Sequence, residues 1–470
     1  MDNYYFQYKY SQNVEPLYGK KRTKAFDNDI LKDNVLPHKY SILDRIDMTE
    51  YETYSIDPDG CEDADDAFTL YTKNKKMFLA IHIADPTEYI NIESSLWNDI
   101  QDRVVTKYPS NRKPIHMIPD DIMEKSSLMV NSYGDIKQAI TILTEINSNN
   151  YEPINNVQLL FTNIKVKKIN AYSYERASKE YYSNDIFYNC IRISEVLKEK
   201  RGKKTKGIVL NEVSNSYVKY NNDIPYLYKD TVTERLMKQM IAEFAIFANS
   251  FVGEYLRIHF DGIGLYRSCD AKDWLNTVYS GITGQELLNE IIINGIKAEY
   301  ISNVESHDLV GSQEYCHFTS PIRRLSDCVC HYLLKYIYLK QEDEELTQPF
   351  SNEKLLNFTE ICDNMTKSTK NIQYKDSKFR LIQTMNNMIL NSEIVNITYY
   401  ISSFTSAFLN IIICGINEHD VYLSYTLRIA NTEKSKDYQI KKQKTLLITK
   451  VNCIGKFDER SIPELDALFI

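Results

Sequence analysis

The sequence predicts an α+β fold in which helices pack on a mixed β-sheet and a small β-barrel follows at the C-terminal end. Three observations lead to this prediction. Runs of β-branched and aromatic residues, separated by turn residues, occupy 51–84 and 140–169, which is typical of a sheet. Apolar residues recur at three- and four-residue spacing in 233–256 and 355–387, which indicates helices. From residue 392 onward, several strand-like runs follow one another closely, which favours a small closed barrel.

These patterns divide the chain into three predicted parts. Residues 1–45 are polar and irregular, so we expect an N-terminal arm. Residues 46–388 form the main domain, in which Thr233 is the predicted cap of the long helix and a further helix is predicted to start at Ser320–Pro321. The basic stretch 197–206 is predicted to be a solvated connection. Residues 389–470 form the predicted barrel, whose pattern fits an oligonucleotide-binding barrel no better than other small β folds.

The composition excludes several classes of protein. Lysine plus arginine total 56 against 64 aspartate plus glutamate, a net charge of −8, which argues against coating of nucleic acid through overall positive charge. The 36 tyrosines leave open an enzyme that gathers basic groups in a channel and stacks bases on phenol rings. No apolar run approaches the length of about 20 residues that a bilayer span needs, so no membrane association is expected.

The cysteines and the N-terminus bear on the compartment. The nine cysteines form no CxxC pair, and the first residues, MDNYYFQYKY, lack the layout of a secretory signal. We therefore expect free thiols and no zinc site. We also expect an intracellular protein, located in the cytoplasm, with the nucleus as the alternative.

Four carboxylates are concentrated in the segment SIDPDGCEDADDAF, residues 55–68: Asp57, Asp63, Asp65 and Asp66. The stretch 57–60 predicts a turn, and the predicted strands on either side would hold the loop rigidly. Like charges at this density repel unless a cation lies among them, and hard oxygen ligands suit Mg²⁺ or Ca²⁺. An acidic surface loop is one alternative. A helix–loop–helix calcium site is disfavoured, because the glycine is fourth instead of sixth and the twelfth position is not glutamate.

A second motif, EYCHFTSPIRRLSDCVCHYLL (314–334), places Arg323 and Arg324 in the first turn of a predicted helix. The helix macrodipole disfavours cations there, so a phosphate facing the N-terminus would explain them. The alternative is an Arg323–Asp327 ion pair beside a satisfied, half-buried His331, since these residues are spaced by four. We prefer the structural interpretation for Asp327 and His331, and phosphate binding for Arg323. Together the two motifs describe a phosphoryl-transfer site.

The two motifs resemble those that define the ribonuclease II catalytic family, also called the RNB family, which includes the exosome-associated exonuclease. The family's D-P-x-x-x-x-D-x-D-D loop is matched at Asp57, Pro58, Asp63, Asp65 and Asp66. Other segments resemble the family in order and spacing: HIADPTEYI (82–90), KYPSNRKPIHMIPDDI (107–122), IKAEYISNVESHDL (296–309) and YCHFTSPIRRLSD (315–327). The resemblance implies an α+β catalytic domain around an RNA channel. It also implies processive 3′→5′ hydrolysis of single-stranded RNA to nucleoside 5′-monophosphates, with Mg²⁺ or alternatively Mn²⁺ as cofactor.

The resemblance further implies roles for individual residues. The metal ligands would be Asp57, Asp63, Asp65 and Asp66, and the catalytic residues would be Asp65, Asp63 and Arg323, the last on the scissile phosphate. Tyr108 and Tyr172 match aromatic residues that pack against bases. The alignment at Tyr172 could slip to Tyr174, and an ordinary half-buried phenol is the alternative at each position. The other RNA contacts implied are Arg324, Glu243, His317 and Ser320.

Three departures from the family pattern leave alternatives open. The second stacking aromatic would fall at Leu210, and Ala242 replaces the first acid of a Glu-Glu pair that contacts ribose. Few residues precede the catalytic region, where the family usually has two cold-shock-type barrels. RNA capture is therefore expected to depend on the C-terminal barrel, its 434–444 segment or a protein partner. The departures motivate a non-catalytic RNA-binding scaffold or regulator as the alternative function, and Ala242 motivates weaker discrimination of the 2′-hydroxyl.

Overall fold

The computed structural model describes residues 25–469 apart from 110–112, 155, 207, 209–215, 222–223, 279–281, 283–286, 288–289, 292–293, 432–443 and 453–463. Most of the predicted arm, Leu210 and nearly all of segment 434–444 therefore lie outside the described residues. The helices are α1 (Ser95–Arg103), α2 (Asp120–Ser126), α3 (Tyr174–Glu180), α4 (Asp185–Lys204), α5 (Val232–His259), α6 (Lys272–Thr277), α7 (Leu325–Leu339) and α8 (Asn352–Leu390).

Strands account for most of the remaining regular structure. They are β1 (Ile46–Asp47), β2 (Ser55–Asp57), β3 (Asp66–Lys73), β4 (Lys76–Ala84), β5 (Ile136–Ile146), β6 (Gln158–Lys165), β7 (Ala171–Ser173), β8 (Ser216–Asn221), β9 (Ile224–Lys229), β10 (Ile263–Ser268), β11 (Glu299–Asn303), β12 (Val395–Phe404), β13 (Phe408–Ile416), β14 (His419–Ala430), β15 (Lys444–Asn452) and β16 (Glu464–Phe469). The predicted α+β class is confirmed.

The central sheet positions the acidic loop. Its strand order is β1-β6-β5-β4-β3, antiparallel from β3 to β6, with β1 parallel to β6. Strand β2 ends at Asp57 and pairs in parallel with β7, while β3 begins at Asp66. The Ala84 N–H, at the end of β4, donates to the Asp65 carbonyl at 2.8 Å. Both ends of the loop are therefore fixed by backbone pairing.

Helix α5 is capped by Thr231 and not by Thr233. The Thr231 side chain accepts from the Glu234 N–H, and the Glu234 carboxylate accepts from the Thr231 N–H, which together form a capping box. The predicted cap is therefore wrong by two residues. The prediction of a solvated connection at 197–206 is also wrong, because α4 continues to Lys204 and buries Arg201 against α5.

Helix α7 begins at Leu325, so the predicted start at Ser320–Pro321 is wrong. Arg324 has extended backbone angles, φ −139° and ψ 128°. The Leu325 N–H donates to the Val104 carbonyl at 2.8 Å, and the Thr106 N–H donates to the Arg323 carbonyl at 3.0 Å. Arg323 ends a turn that begins at Ser320, and the pairing with residues 104–106 keeps Arg324 extended ahead of the helix. Both arginines therefore precede the helix and do not share a helical face with its later residues.

The C-terminal strands close into a barrel in the order β12-β13-β14-β16-β15, with β15 paired to β12. Alternate residues along β12 are buried in its core: Val395, Ile397, Tyr399 and Ile401. Hairpin β8–β9 of the main domain contacts this core through Val218 and Leu227. The predicted barrel is present, and the boundary at residue 389 stays a prediction.

Two simpler expectations can also be compared with the structure. Within the described part of the chain, no helix has both the length and the apolarity needed to cross a membrane. The cysteines of that part are all free thiols, as expected: Cys61, Cys190, Cys269, Cys316, Cys328, Cys330, Cys362 and Cys414.

Candidate active site

The predicted acidic and basic residues line one cavity of about 490 Å³. Its wall is formed by the loop between β2 and β3, one face of α5, and segment 315–324 ahead of α7. The lining includes every predicted catalytic and metal-binding residue: Asp57, Asp63, Asp65, Asp66 and Arg323. It also includes most of the predicted RNA contacts: Tyr108, Arg324, Glu243, His317 and Ser320.

Asp65 and Arg323 meet in this cavity although they are far apart in sequence. One Asp65 carboxylate oxygen accepts from Arg323 Nε at 2.9 Å, and the other accepts from the Ile322 N–H at 2.9 Å. Asp65 is only 4% exposed. Burial raises the pKa of the Asp65 carboxyl to about 7, against the opposing effect of the Arg323 charge. The ion pair thus joins the two predicted motifs directly.

Asp57 and Asp66 are the carboxylates at the two strand ends. Burial, followed by the charge of Asp66, raises the pKa of Asp57 to about 8. Burial raises the pKa of Asp66 to about 6, while Arg323 and Arg324 lower it. The Asp57 Oδ2 atom is buried and has no hydrogen-bond partner. A buried, unpartnered carboxylate oxygen beside further carboxylates is a position that a hard cation would stabilise.

The donor chemistry of the cavity fits a divalent ion, but the carboxylates do not converge into a complete site. Among the described residues, no group of three or more His, Cys, Asp and Glu side chains is close enough to hold a metal. Asp65 is turned toward Arg323, and Asp63 accepts from the Tyr108 hydroxyl at 2.6 Å. Asp57 and Asp66 therefore remain as the candidate metal ligands of the cavity.

Tyr108 lines the cavity and is 37% exposed. Burial, the Asp63 charge and the hydrogen bond to Asp63 keep its hydroxyl protonated by raising its pKa. The hydroxyl is anchored while the ring remains reachable from solvent. This geometry agrees with the predicted contact between Tyr108 and a base, which stays a prediction.

Asp327 fixes the conformation of the segment that contains Arg323 and Arg324. It is fully buried, and its Oδ1 atom accepts from the Ser320 N–H at 2.7 Å and from Arg324 Nη2 at 2.8 Å. Arg323 donates instead to Asp65 and, at 2.9 Å, to the Ser320 hydroxyl. The alternative Arg323–Asp327 ion pair is therefore not formed, and Asp327 pairs with Arg324 instead. His331 is a structural residue, as expected, with Nε2 3.0 Å from the Phe318 carbonyl, but it is fully buried instead of half-buried and its Nδ1 atom has no hydrogen-bond partner among the described residues.

Tyr172 does not line the cavity. It is 7% exposed, its ring packs edge-on against Phe187 at 4.9 Å between centroids, and Arg176 covers one ring face at 3.9 Å. Tyr174, two residues along, lines the cavity instead. The structure therefore favours the alternative alignment, in which Tyr174 is the aromatic residue available to a base.

Glu243 and His317 line the cavity but are already engaged. The Glu243 carboxylate accepts from Arg201 Nη2 at 2.5 Å and from Arg201 Nε at 3.1 Å. His317 Nδ1 lies 2.7 Å from the Tyr300 hydroxyl, and burial together with the charge of Arg324 holds its pKa well below the ordinary value. Ala242 lines the same wall without a polar group. The polar groups of Glu243 and His317 are therefore held by partners within the protein.

Sequence reasoning missed two cations in the cavity wall, Arg201 and Lys238. Arg201 was assigned to a solvated stretch, although it follows Cys190, Ser194 and Leu197 at helical spacing. That periodicity was the available signal. Lys238 lies one turn ahead of Ala242 on α5 and therefore faces the same side of the helix. Neither residue belongs to the motifs that carry the family resemblance.

The model of the RNB domain matches residues 45–340 of the chain. The protein belongs to the RNB-domain family. Among relatives, it is 25% identical over 392 residues to ribonuclease R of Thermotoga maritima, covering 73% of this chain and 52% of the relative. It is also 25% identical over 344 residues to exoribonuclease 2 of Vibrio vulnificus, covering 64% of this chain and 50% of the relative. The chain thus spans about half the length of these RNB-domain relatives.

Solved structures share the fold of this RNB-domain protein at lower sequence identity. Mycoplasma genitalium RNase R in complex with ribose-methylated single-stranded RNA matches 97% of this chain and 76% of its own, with a TM-score of 0.69 and 17% identity. The Dss1 exoribonuclease of Candida glabrata, an active-site mutant, has a TM-score of 0.71 at 17% identity, over 91% of this chain and 56% of its own. Yeast Ssd1, described as a pseudonuclease, has a TM-score of 0.60 at 16% identity, over 82% and 50%.

Proposed function

We propose that this protein is a metal-dependent 3′→5′ exoribonuclease that hydrolyses single-stranded RNA to nucleoside 5′-monophosphates. The observation that carries the proposal is the contact between Asp65 and Arg323 in the cavity that also contains Asp57 and Asp66. Carboxylates for a metal and a guanidinium for a phosphate are the groups that phosphodiester hydrolysis requires. Membership of the RNB-domain family and similarity to ribonuclease R support it.

Asp57 and Asp66 would hold Mg²⁺, or alternatively Mn²⁺, with Asp63 and Asp65 completing the acidic wall. When bound, the ion would supply an activated water and neutralise charge on the scissile phosphate. Its charge would also relieve the repulsion and burial cost at the unpartnered oxygen of Asp57.

Arg323 would hold the scissile phosphate. A guanidinium has five N–H donors, of which one is directed to Asp65 and another to Ser320. Asp65 orients the guanidinium, and further donors remain for phosphate oxygens. In the reaction, the oxygen of water forms a bond to phosphorus, and the bond from phosphorus to the 3′ oxygen of the preceding nucleotide breaks. That oxygen leaves with a proton, and the terminal nucleotide is released with its 5′ phosphate.

The RNA contacts follow from the same cavity. Tyr108 and Tyr174 present rings on which terminal bases can stack, a contact worth about 1–3 kcal/mol per base without sequence preference. Arg324, held by Asp327, adds positive charge behind Arg323. Mycoplasma genitalium RNase R, which shares the fold, was solved with single-stranded RNA, which supports this choice of substrate. A protein partner that adds RNA-binding surface stays a prediction.

Digestion of an end-labelled single-stranded RNA tests the proposal. We expect shortening from the 3′ end with Mg²⁺, no shortening in EDTA, and no cleavage of a circular RNA of the same sequence, which has no end. Equal cleavage of the circle would contradict an exonuclease mechanism. Stable RNA binding without any Mg²⁺-dependent product would favour the second candidate function.

The second candidate is a catalytically inactive RNA-binding scaffold or regulator. Two observations favour it: yeast Ssd1, a pseudonuclease, shares the fold, and Ala242 stands in the cavity wall where the family motif has an acid. The presence of all four aspartates in one cavity argues for the active enzyme, because crowded, partly buried carboxylates repel one another unless a cation lies among them.

Ala242 also leads to a prediction about sugar specificity. Because its methyl group cannot accept a hydrogen bond from a 2′-hydroxyl, we expect the preference for RNA over a matched DNA strand to be weaker by about 10-fold than with a glutamate at this position, the value of one hydrogen bond. The Ala242→Glu variant should increase the preference for RNA. Parallel digestion of the two strands by both proteins measures the ratio. An equal ratio for the two proteins would refute the idea.

A further inference from the structure

Hairpin β8–β9 has two faces of different composition. Its strands pair with Tyr217 opposite Tyr228 and Lys219 opposite Tyr226. Paired residues lie on the same side of an antiparallel sheet, so these four side chains form one face, which we call the tyrosine–lysine face. Tyr226 is 40% exposed, and the other three are partly exposed.

The opposite face of the hairpin is covered. Val218 and Leu227 pack against the core of the C-terminal barrel, and Pro225 is buried. The Lys229 ammonium donates to the Glu418 carbonyl of the barrel at 3.0 Å. The hairpin is therefore fixed to the barrel by one side, and the tyrosine–lysine face points away from it.

A series of ring–ammonium contacts joins this face to the catalytic cavity. Lys238, in the cavity wall, places its Nζ 5.6 Å from the centre of the Tyr174 ring and 4.7 Å from that of Tyr217. Lys219 Nζ lies 5.7 Å from the Tyr217 ring centre and 3.6 Å from that of Tyr228. Phenol rings and ammonium groups thus alternate from Tyr174 outward to the hairpin.

Two buried acidic residues, Asp230 and Glu234, hold some of these rings and ammonium groups in place. Asp230 is buried and its carboxylate contacts the Lys238 ammonium at 2.6 Å. Glu234 is buried and accepts from the Tyr228 hydroxyl at 2.8 Å and from the Thr231 N–H at 2.7 Å. These contacts fix the ring of Tyr228 and the ammonium of Lys238 in place before any ligand binds, which lowers the entropy cost of binding.

We propose that the tyrosine–lysine face binds the part of a single-stranded RNA that lies 5′ of the nucleotides held in the cavity. Its bases would stack on the phenol rings of Tyr217, Tyr226 and Tyr228, and its phosphates would contact Lys219 and Lys238. Interleaved aromatic rings and cations are the combination that binds single strands without sequence preference. Continuity with the cavity and the sign of the charge favour RNA over a protein ligand. This inference rests on the proposed function, because the hairpin would bind the RNA strand whose 3′ end lies in the catalytic cavity.

Binding in EDTA, measured by fluorescence anisotropy, tests the proposal without requiring catalysis. RNAs of about 4 nucleotides would fill the cavity alone, whereas RNAs of about 20 nucleotides would reach the hairpin. The double variant Tyr217→Ala/Lys219→Gln should weaken binding of the long RNA by about 10-fold and leave the short RNA unaffected. For the long RNA, log K falls as the salt concentration rises. In the double variant this slope should be less steep by about 0.7, the value for the loss of one phosphate contact on a single strand.

A matched control variant distinguishes this role from the general effect of removing one surface tyrosine and one positive charge. Tyr182 is 89% exposed, and Lys203 is exposed at the end of α4. The double variant Tyr182→Ala/Lys203→Gln should bind both RNAs as the unaltered protein does. Equal weakening in this control, unchanged affinity of the hairpin variant for long RNA, or no RNA binding by the unaltered protein would each overturn the proposal.

A cross-linking experiment on the unaltered protein covers the case in which the hairpin variant fails to fold. RNA with photoreactive 4-thiouridine several nucleotides from its 3′ end should cross-link to a peptide that contains residues 216–229. Cross-links confined to other peptides would reject the proposal. Hairpin-dependent binding without any nuclease product would reject the proposed hydrolysis and leave the hairpin inference standing, so the two failures are distinguishable.

Discussion

Replacing Asp65 by asparagine should reduce the rate of RNA hydrolysis by roughly 10³-fold, while RNA binding in EDTA persists. Asp65 is the buried carboxylate that accepts from Arg323 Nε and the Ile322 N–H. Asparagine keeps the size of the side chain but removes the charge that orients the guanidinium. It also removes one negative charge from the acidic wall of the cavity. Because the change is nearly isosteric, we expect the fold to be retained.

The matched control for this variant is Asp59→Asn in the same loop. Asp59 is exposed and does not line the cavity as the other acids do, so the rate should change by less than about 2-fold, as is usual for surface positions. Single-turnover digestion with excess protein compares the chemical step in the three proteins. Full activity of Asp65→Asn would remove Asp65 from the mechanism.

Replacing Lys335 by methionine should lower the free energy of unfolding by about 3–5 kcal/mol, because it leaves a buried carboxylate short of a partner. Lys335 lies on α7 and is fully buried, with Nζ 3.1 Å from Asp85 and 2.8 Å from Glu88. Arg45 contacts the same two carboxylates at 2.6 and 2.7 Å. The four side chains connect the segment after β4 to α7.

Urea denaturation measures this effect, with Lys125→Met as the control. Lys125 and Asp121 form a partly exposed pair at 3.7 Å, and a pair near the surface is worth about 0–1 kcal/mol. A loss in Lys335→Met no larger than that of the control would show that the buried network does not stabilise the fold.

The same network gives stability a defined pH dependence. The cations beside Asp85 hold its pKa well below the ordinary 3.8, and Lys335 lowers the pKa of Glu88 from 4.5, both against the effect of burial. Carboxylates with lowered folded-state pKa values stabilise the fold above their unfolded values and lose that contribution as the pH falls. The stability difference between the unaltered protein and Lys335→Met should therefore shrink as the pH falls toward and below 4.

The acidic loop was predictable from the sequence because its determinants are local. Asp57 ends one strand, Asp66 begins the next, and the turn between them follows from residues 58–60. The start of α7 was not predictable in this way. Its position depends on the pairing of Arg323 and Leu325 with residues 104–106, a contact between distant parts of the chain that overrides the local signals of a serine cap and a proline.

The assignment of Tyr172 failed for a related reason. Along a strand, neighbouring side chains point to opposite sides and residues two apart share a side. Strand β7 ends at Ser173 and helix α3 begins at Tyr174, so the change of element turns the two tyrosines in different directions. Arg201 was missed because its partner Glu243 is brought to it by packing of α4 on α5, which sequence spacing alone does not show.

The most direct test of the central claim is to identify the product formed from single-stranded RNA in ¹⁸O-labelled water with Mg²⁺. Hydrolysis at the cavity of Asp57, Asp65, Asp66 and Arg323 predicts nucleoside 5′-monophosphates that carry one ¹⁸O atom on phosphorus. Mononucleotides without the label, nucleoside diphosphates, or intact RNA after prolonged incubation would contradict the account.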